Sequence, residues 1–141
     1  MKAPALWLVL LTVMFGAGCT LHGRLYNLTT GEVTPVTMTY GGSGHGRLSA
    51  VIASSGENVS GEYLTFAHLP ANWGSTYAKV YGTEGSAYTS GASLGKVNQY
   101  GTAVATGDKG SVVDCEYVTS SLTHGTGACT DKQGTLYKLM F

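Results

Sequence analysis

The feature that most constrains the fold of this 141-residue chain is the spacing of its 21 glycines. Glycine falls at short intervals between segments rich in valine, threonine, tyrosine and leucine, and this spacing is typical of β-hairpins. No window after the first nineteen residues carries an extended apolar stripe with the 3.6-residue period of a helix. The sequence therefore predicts an all-β protein.

About eight short strands are expected to form a compact antiparallel barrel or sandwich. Their predicted ranges are residues 22–28, 33–40, 46–53, 58–66, 101–106, 110–119, 125–131 and 135–141. The stretch from Ala67 to Gly95 is less regular, and we expect a long connection with one or two short strands there. Residues 19–141 are long enough for a single domain with one modest core.

The first eighteen residues have the pattern of an export signal. Met1 and Lys2 precede an apolar run from Ala3 to Phe15, which ends in small residues just before Cys19. The run is too short for a stable transmembrane helix, and its flanks fit a cleavable signal peptide. Residues 1–18 are therefore predicted to be removed, so that the mature chain begins at Cys19.

This N-terminal segment resembles the lipobox of bacterial lipoproteins, in which small residues precede a cysteine that receives a diacylglyceryl group and an N-terminal acyl chain such as palmitate. The resemblance implies lipidation of Cys19, although Gly16 stands where the family usually has an aliphatic residue. Thr20 is not Asp, which by resemblance to lipoproteins of Gram-negative bacteria implies the outer membrane, facing the periplasm. An ordinary secretion signal that leaves Cys19 as a free thiol, or an uncleaved anchor helix, are the alternatives.

Two stretches of the mature chain also resemble small glycine-rich bacterial lipoproteins of unknown function. These stretches are Leu25–Glu32, which reads LYNLTTGE, and Gly61–Tyr63, which reads GEY. The resemblance agrees with an envelope lipoprotein and implies no catalytic activity.

The remaining cysteines, Cys115 and Cys129, are predicted to form a disulfide. A hairpin centred near Ser121–Thr123 places positions 115 and 129 opposite each other on neighbouring strands, at the Cβ separation that a disulfide requires. An exported chain meets the oxidising conditions in which such bonds persist. The alternative is a metal site formed by the two cysteines with His124, but these residues lack the usual close ligand spacing.

The charge of the chain excludes one class of partner. Eight basic and eight acidic residues balance, and charged residues make up only 11% of the sequence. No basic run or stripe provides the electrostatic footprint of nucleic-acid binding. Nucleic acid is therefore not expected to bind. The sequence predicts no cofactor either.

Two pairs of titratable residues are the only candidates for chemistry. His45 and His124 lie beside glycines in similar hairpins, while Glu62 and Glu116 occupy matching places in the related segments SGEYLT and DCEYVT. Paired carboxylates can cleave glycosidic bonds. The competing interpretation is that the imidazoles are exposed in turns and that the glutamates alternate with core tyrosines. No catalytic residue is predicted.

Aromatic residues in and beside the irregular central stretch form the best candidate binding surface. Aromatic side chains with polar tips can cover glycan or protein surfaces at low entropic cost. The alternative is that they pack over the open end of a barrel. The residues are Trp73, Tyr77, Tyr81, Tyr88 and Tyr100.

These patterns predict a non-enzymatic envelope lipoprotein with a binding or scaffolding role. Its expected partners are the membrane, through the lipid, and an envelope protein or glycan. One alternative is a small hydrolase of envelope polymer that uses the two histidines and two glutamates above. Another is a secreted enzyme inhibitor, in which the segment Ala67–Gly95 would project beyond the barrel.

Overall fold

The computed structural model describes residues 19–81 and 99–141, which form a closed antiparallel barrel of eight strands. Each strand pairs with the next described strand along the chain, and β1 pairs with β8 to close the barrel. The all-β prediction and the strand number are confirmed, and of the two predicted architectures the barrel is the correct one. In chain order the elements are β1 (Thr20–Asn27), β2 (Val33–Tyr40), β3 (His45–Ile52), β4 (Glu57–Phe66), α1 (Ser75–Tyr81), β5 (Gln99–Gly107), β6 (Val112–Thr119), β7 (Gly125–Asp131) and β8 (Leu136–Met140).

The barrel has two ends of different composition. The end that carries Cys19 also holds the turns 41–44 and 120–124 and the residue Phe141, and we name it the Cys19 end. The opposite end, which we name the far end, holds the turns 28–32, 53–56, 108–111 and 132–135. Up-and-down order places alternate turns at opposite ends, so each end receives turns from widely separated parts of the sequence.

The prediction of strands within Ala67–Gly95 was wrong for Ser75–Tyr81, which form the helix α1. Seven residues make about two helical turns, too few to produce a recognisable apolar stripe. Such a short helix is marginal in isolation, so contacts with the barrel must stabilise it. Residues 82–98, which include Tyr88, and the predicted signal peptide 1–18 lie outside the described residues.

Small and aliphatic side chains fill the middle of the barrel. The cavity that remains among them measures about 40 Å³ and is lined mainly by aliphatic groups. Pockets for small molecules usually measure about 300–1,000 Å³, so this interior is a packed core and not a ligand pocket. The buried members of the core are Val36, Met38, Ala103, Val113, Cys115, Tyr117, Cys129 and Leu139.

Three aromatic rings fill the interior at the Cys19 end. Tyr117 makes edge-to-face contacts with Tyr63 and with Phe141, at centroid distances of 6.4 and 5.6 Å. The Tyr117 hydroxyl shares a 2.9 Å hydrogen bond with Thr65 Oγ1 and donates to the Leu64 carbonyl. Burial raises the pKa of Tyr117 to about 12, so this hydroxyl stays protonated at neutral pH.

Glycines on neighbouring strands make room for two of these rings. A Cβ atom at Gly101 would lie 2.1 Å from Tyr117 Cζ, and one at Gly125 would lie 2.4 Å from Phe141 Cζ. Real Cβ atoms do not approach other heavy atoms so closely. The rings therefore occupy the volume that a side chain at these positions would need.

The predicted disulfide is confirmed. Cys115 and Cys129 are direct partners in the ladder between β6 and β7, and their sulfur atoms are bonded within the buried core. The sequence separation of 14 residues corresponds to about 3 kcal/mol of stabilisation in the chain-entropy treatment. The bond joins neighbouring strands of one hairpin and does not cross the seam between β1 and β8.

We expect Gly101→Ala to destabilise the protein by about 1–3 kcal/mol, because the added methyl group overlaps the Tyr117 ring. The free energy of unfolding measured with urea tests this. Thr102→Ala, at the next position on the same strand, is the control and is expected to cost under about 1 kcal/mol. Equal stability of the two variants would contradict the close approach of ring and glycine.

Candidate functional site

Four of the five predicted aromatic residues lie together on the outside of the barrel, and we name them the outer aromatic cluster. They are Trp73, Tyr77 and Tyr81, from α1 and the residues before it, and Tyr100 on β5. The ring centroid of Trp73 lies 5.3 Å from those of both Tyr77 and Tyr100. Tyr77 stacks on Tyr81 with 4.4 Å between their ring centroids. The fifth predicted member, Tyr88, lies outside the described residues.

The polar tips of three of these rings face the barrel wall. Trp73 Nε1–H donates to the Gly101 carbonyl at 2.8 Å, and the Tyr81 hydroxyl donates to the Gly127 carbonyl at 3.1 Å. Tyr77, which is completely buried, shares a 2.9 Å hydrogen bond between its hydroxyl and Thr126 Oγ1. The cluster thus fastens α1 to the outer wall of the barrel, and it does not cover the open end as the packing alternative supposed.

Part of the outer aromatic cluster stays accessible to a partner. Trp73, Tyr81 and Tyr100 are each half-buried. Lys138 places its ammonium group 5.2 Å from the centre of the Tyr81 ring, within the range of a cation–π contact. The accessible part therefore belongs to three half-buried rings, with the Lys138 ammonium group beside one of them, and its use as a binding surface stays a prediction.

The carboxylate of Glu116 holds the start of α1. Oε1 accepts the N–H of Gly74 at 3.0 Å, and Oε2 accepts the N–H groups of Thr76 and Tyr77, each at 2.8 Å. These donors belong to the first turn of a helix, where backbone N–H groups have no partner within the helix and a negative charge is favourable. Glu116 is only 8% exposed. Sequence reasoning missed this role, because about 40 residues separate the carboxylate from the helix that it caps.

The two repeated glutamates lie on different strands and in different surroundings. Glu62 pairs with Val104 on β5, whereas Glu116 pairs with Thr102 on the other side of the same strand. Two strand spacings and a two-residue offset separate their Cα atoms by about 12 Å on a flat sheet. The Glu116 carboxylate is also engaged by α1, so it does not turn toward Glu62.

The two candidate histidines lie in different places. His45 is exposed and lines a shallow groove on the outer wall of β3–β5 together with Glu62. His124 lies in the turn between β6 and β7, where its Nδ1 is within 3.1 Å of Ser121 Oγ and 2.9 Å of Thr123 Oγ1. The described residues contain no cluster of three or more His, Cys, Asp or Glu side chains that could hold a metal ion. Cys115 and Cys129 are joined to each other, so the proposed site with His124 is wrong.

Cys19 is an exposed free cysteine directly before the first strand. Its carbonyl accepts the N–H of Tyr40 at 3.1 Å, which extends the pairing of β1 with β2 to the cysteine itself. Within residues 19–81 and 99–141, no helix has the length and hydrophobicity needed to cross a membrane.

At the far end of the barrel, Glu57 is buried and organises the turn between β5 and β6. Its carboxylate accepts hydrogen bonds from the Lys109 N–H, the Ser111 N–H and the Ser111 hydroxyl, the last at 2.6 Å. The Ser111 hydroxyl and these N–H groups hold the pKa of Glu57 below its usual value. The carboxylate therefore acts as a fixed acceptor for one turn, and every donor around it belongs to that turn.

Comparison of this chain with family models, with curated proteins and with solved structures found no match.

We expect Glu116→Ala to destabilise the protein by about 2 kcal/mol, because one buried and two partly buried N–H groups lose their acceptor. Hydrogen exchange should also accelerate at the amides of Thr76 and Tyr77. Glu62→Ala removes the equivalent but exposed carboxylate and should change stability by less than about 0.5 kcal/mol. Unchanged exchange in Glu116→Ala would show that α1 does not depend on this contact.

Glu57 should contribute to stability in a pH-dependent way. The pKa of Glu57 is lowered in the folded state. Its contribution to the free energy of unfolding is therefore complete above the ordinary pKa of 4.5 and is lost as the pH falls below that value. Glu57→Gln should therefore unfold at lower urea concentration than the natural protein at pH 7, and the gap should narrow toward pH 3. A gap that stays constant over this range would rule out a role for the ionised carboxylate.

Proposed function

We propose that this chain is a non-enzymatic lipoprotein of the bacterial cell envelope, anchored through lipid on Cys19, whose barrel serves as a rigid platform for binding or scaffolding. The observation that carries the proposal is the position of Cys19, an exposed free thiol immediately before β1. The other two cysteines are used up in a buried disulfide. Cys19 alone is thus available for modification, and it stands where the signal peptide is predicted to end.

The anchor is strong enough for this role on physical grounds. Each methylene buried in the bilayer contributes about 0.8 kcal/mol, and stable anchoring needs more than one acyl chain. A diacylglyceryl group on sulfur and an acyl chain on the amino group provide three. We place the protein in the outer membrane, facing the periplasm, because the residue after Cys19 is Thr20.

A binding role agrees better with the barrel than a catalytic role does. The interior holds a cavity of only about 40 Å³, too small for a substrate. Glu116, one of the candidate catalytic residues, is committed to α1. What the barrel offers instead is its outer wall, whose shape is fixed by closure and by the disulfide.

The outer aromatic cluster is our candidate contact for a partner. Trp73, Tyr81 and Tyr100 are half-buried; hydrogen bonds to the barrel hold the first two rings, and an edge-to-face contact with Trp73 holds the third. Binding through such rings loses little conformational entropy, which suits an envelope protein or a glycan.

Intact-mass spectrometry of the membrane-extracted protein tests the anchor. We expect the mass of residues 19–141 plus acylated glycerol, with a gain of two hydrogen atoms when a reductant opens the single disulfide. Cys19→Ala should leave the membrane fraction, since it has no sulfur to modify. The double variant Cys115→Ala/Cys129→Ala should remain in that fraction. An unmodified natural chain in the soluble fraction would overturn the lipoprotein proposal.

A further inference from the structure

We propose that the Cys19 end of the barrel is a membrane-contact face that lies against the bilayer surface, an inference that rests on the lipid anchor proposed above. The occupant of this face is the headgroup and upper acyl region of the membrane that holds the anchor. Three features of the barrel support the proposal: the absence of a linker, the exposed apolar side chains and the distribution of charge.

No flexible spacer separates the anchor from the barrel. β1 begins at Thr20, the residue after Cys19, and the hydrogen bond from Tyr40 N–H fixes the cysteine backbone to the end of β2. A lipid on Cys19 would therefore hold this end of the barrel at the membrane surface. The face that carries the anchor cannot move away from the bilayer unless the pairing of β1 with β2 opens.

Large apolar side chains are exposed at both ends of the barrel, and the most exposed of them among the described residues lies at the Cys19 end. Leu122 is 94% exposed at the tip of the turn between β6 and β7, and Tyr40 at the end of β2 is 58% exposed. Leu69, in the segment that follows β4, is 38% exposed. Backbone hydrogen bonds from Ser120 and Ser121 to the His124 carbonyl hold the turn that presents Leu122. In an aqueous setting this exposure is unfavourable, whereas insertion at an interface buries it.

The described turns at the two ends of the barrel also differ in charge. The turns 41–44 and 120–124, and residues 67–74 after β4, contain no Asp, Glu, Lys or Arg side chain. Their polar side-chain groups are uncharged at neutral pH or are imidazoles, and include hydroxyls, the Asn72 amide and the Trp73 indole. The turns of the far end contain charged side chains, namely Glu32, Asp108, Lys109 and Lys132. Contact with a bilayer removes water from the surface and penalises charged groups most, so among the described turns those of the Cys19 end are the ones suited to it.

Tryptophan fluorescence in vesicles of known composition tests the proposed face. The lipidated protein would be reconstituted in phosphatidylethanolamine and phosphatidylglycerol, with or without bromine on the acyl chains, which quenches only nearby indoles. Leu122→Trp probes the Cys19 end, and Leu28→Trp is the matched control because Leu28 is an exposed leucine in a turn of the far end. The natural protein gives the background from Trp73.

We expect the fluorescence added by Leu122→Trp to be lost in brominated vesicles, and that added by Leu28→Trp to be unchanged. If brominated lipid quenches the fluorescence of the two variants equally, the proposal is overturned. A Cys19 end that is covered by another protein or left in water would give this result. Leu122 is almost fully exposed, so its replacement leaves the core intact, and near-ultraviolet circular dichroism would verify this.

The mass of the same sample separates failure of this face from failure of the anchor. If Cys19 carries lipid and the Leu122→Trp signal is not quenched, the membrane-contact face is wrong and the anchor stands. If Cys19 carries no lipid, the proposed function fails, and the protein would be coupled through the Cys19 thiol to a maleimide-bearing lipid in the same vesicles. Quenching of Leu122→Trp in that sample would still support the face, and its absence there would overturn it.

Discussion

The fit between aromatic rings and glycines is the contact on which the rest of the structure depends. A closed barrel of eight strands has an interior just wide enough for side chains to fill. At the Cys19 end, Tyr117 and Phe141 fill it because Gly101 and Gly125 present no side chain to them. Without these gaps the rings could not enter, and the strands could not close around them. Glycine in this chain therefore serves the interior of the barrel as well as its turns.

One repeated local sequence serves two different purposes in the barrel. In β4 and β6 the segments around Tyr63 and Tyr117 point their tyrosines inward, where the rings meet edge to face. The adjacent glutamates both point outward, but Glu62 stays exposed while Glu116 is covered by α1. The alternation of a strand fixes which face a side chain occupies. What lies against that face is decided by distant parts of the chain.

The difference between local strand patterns and contacts with distant parts of the chain explains what could be predicted from the sequence. The hairpins and the Cys115–Cys129 bond depend on neighbouring strands, and turn residues between apolar segments indicate both. Closure through β1 and β8 joins the two ends of the described chain and leaves no local signal. The helix and its cap escaped prediction for a similar reason, since seven residues carry little periodicity and their acceptor lies on another strand. The aromatic residues were recognised as a group, but their place on the outer wall depends on α1.

The seam of the barrel lies on the half of β1 that is farther from Cys19, the residue proposed to carry the anchor. Only four residue pairs, from Arg24–Met140 to Asn27–Tyr137, join β1 to β8. A pull on Cys19 away from the Cys19 end acts along the length of β1, because the cysteine directly precedes that strand. Such a force shears the ladders on both sides of β1, so that all their hydrogen bonds carry the load together. The same force applied across the strand would break these hydrogen bonds one after another. The position of Cys19 thus directs mechanical load along β1, the direction in which the ladders resist best.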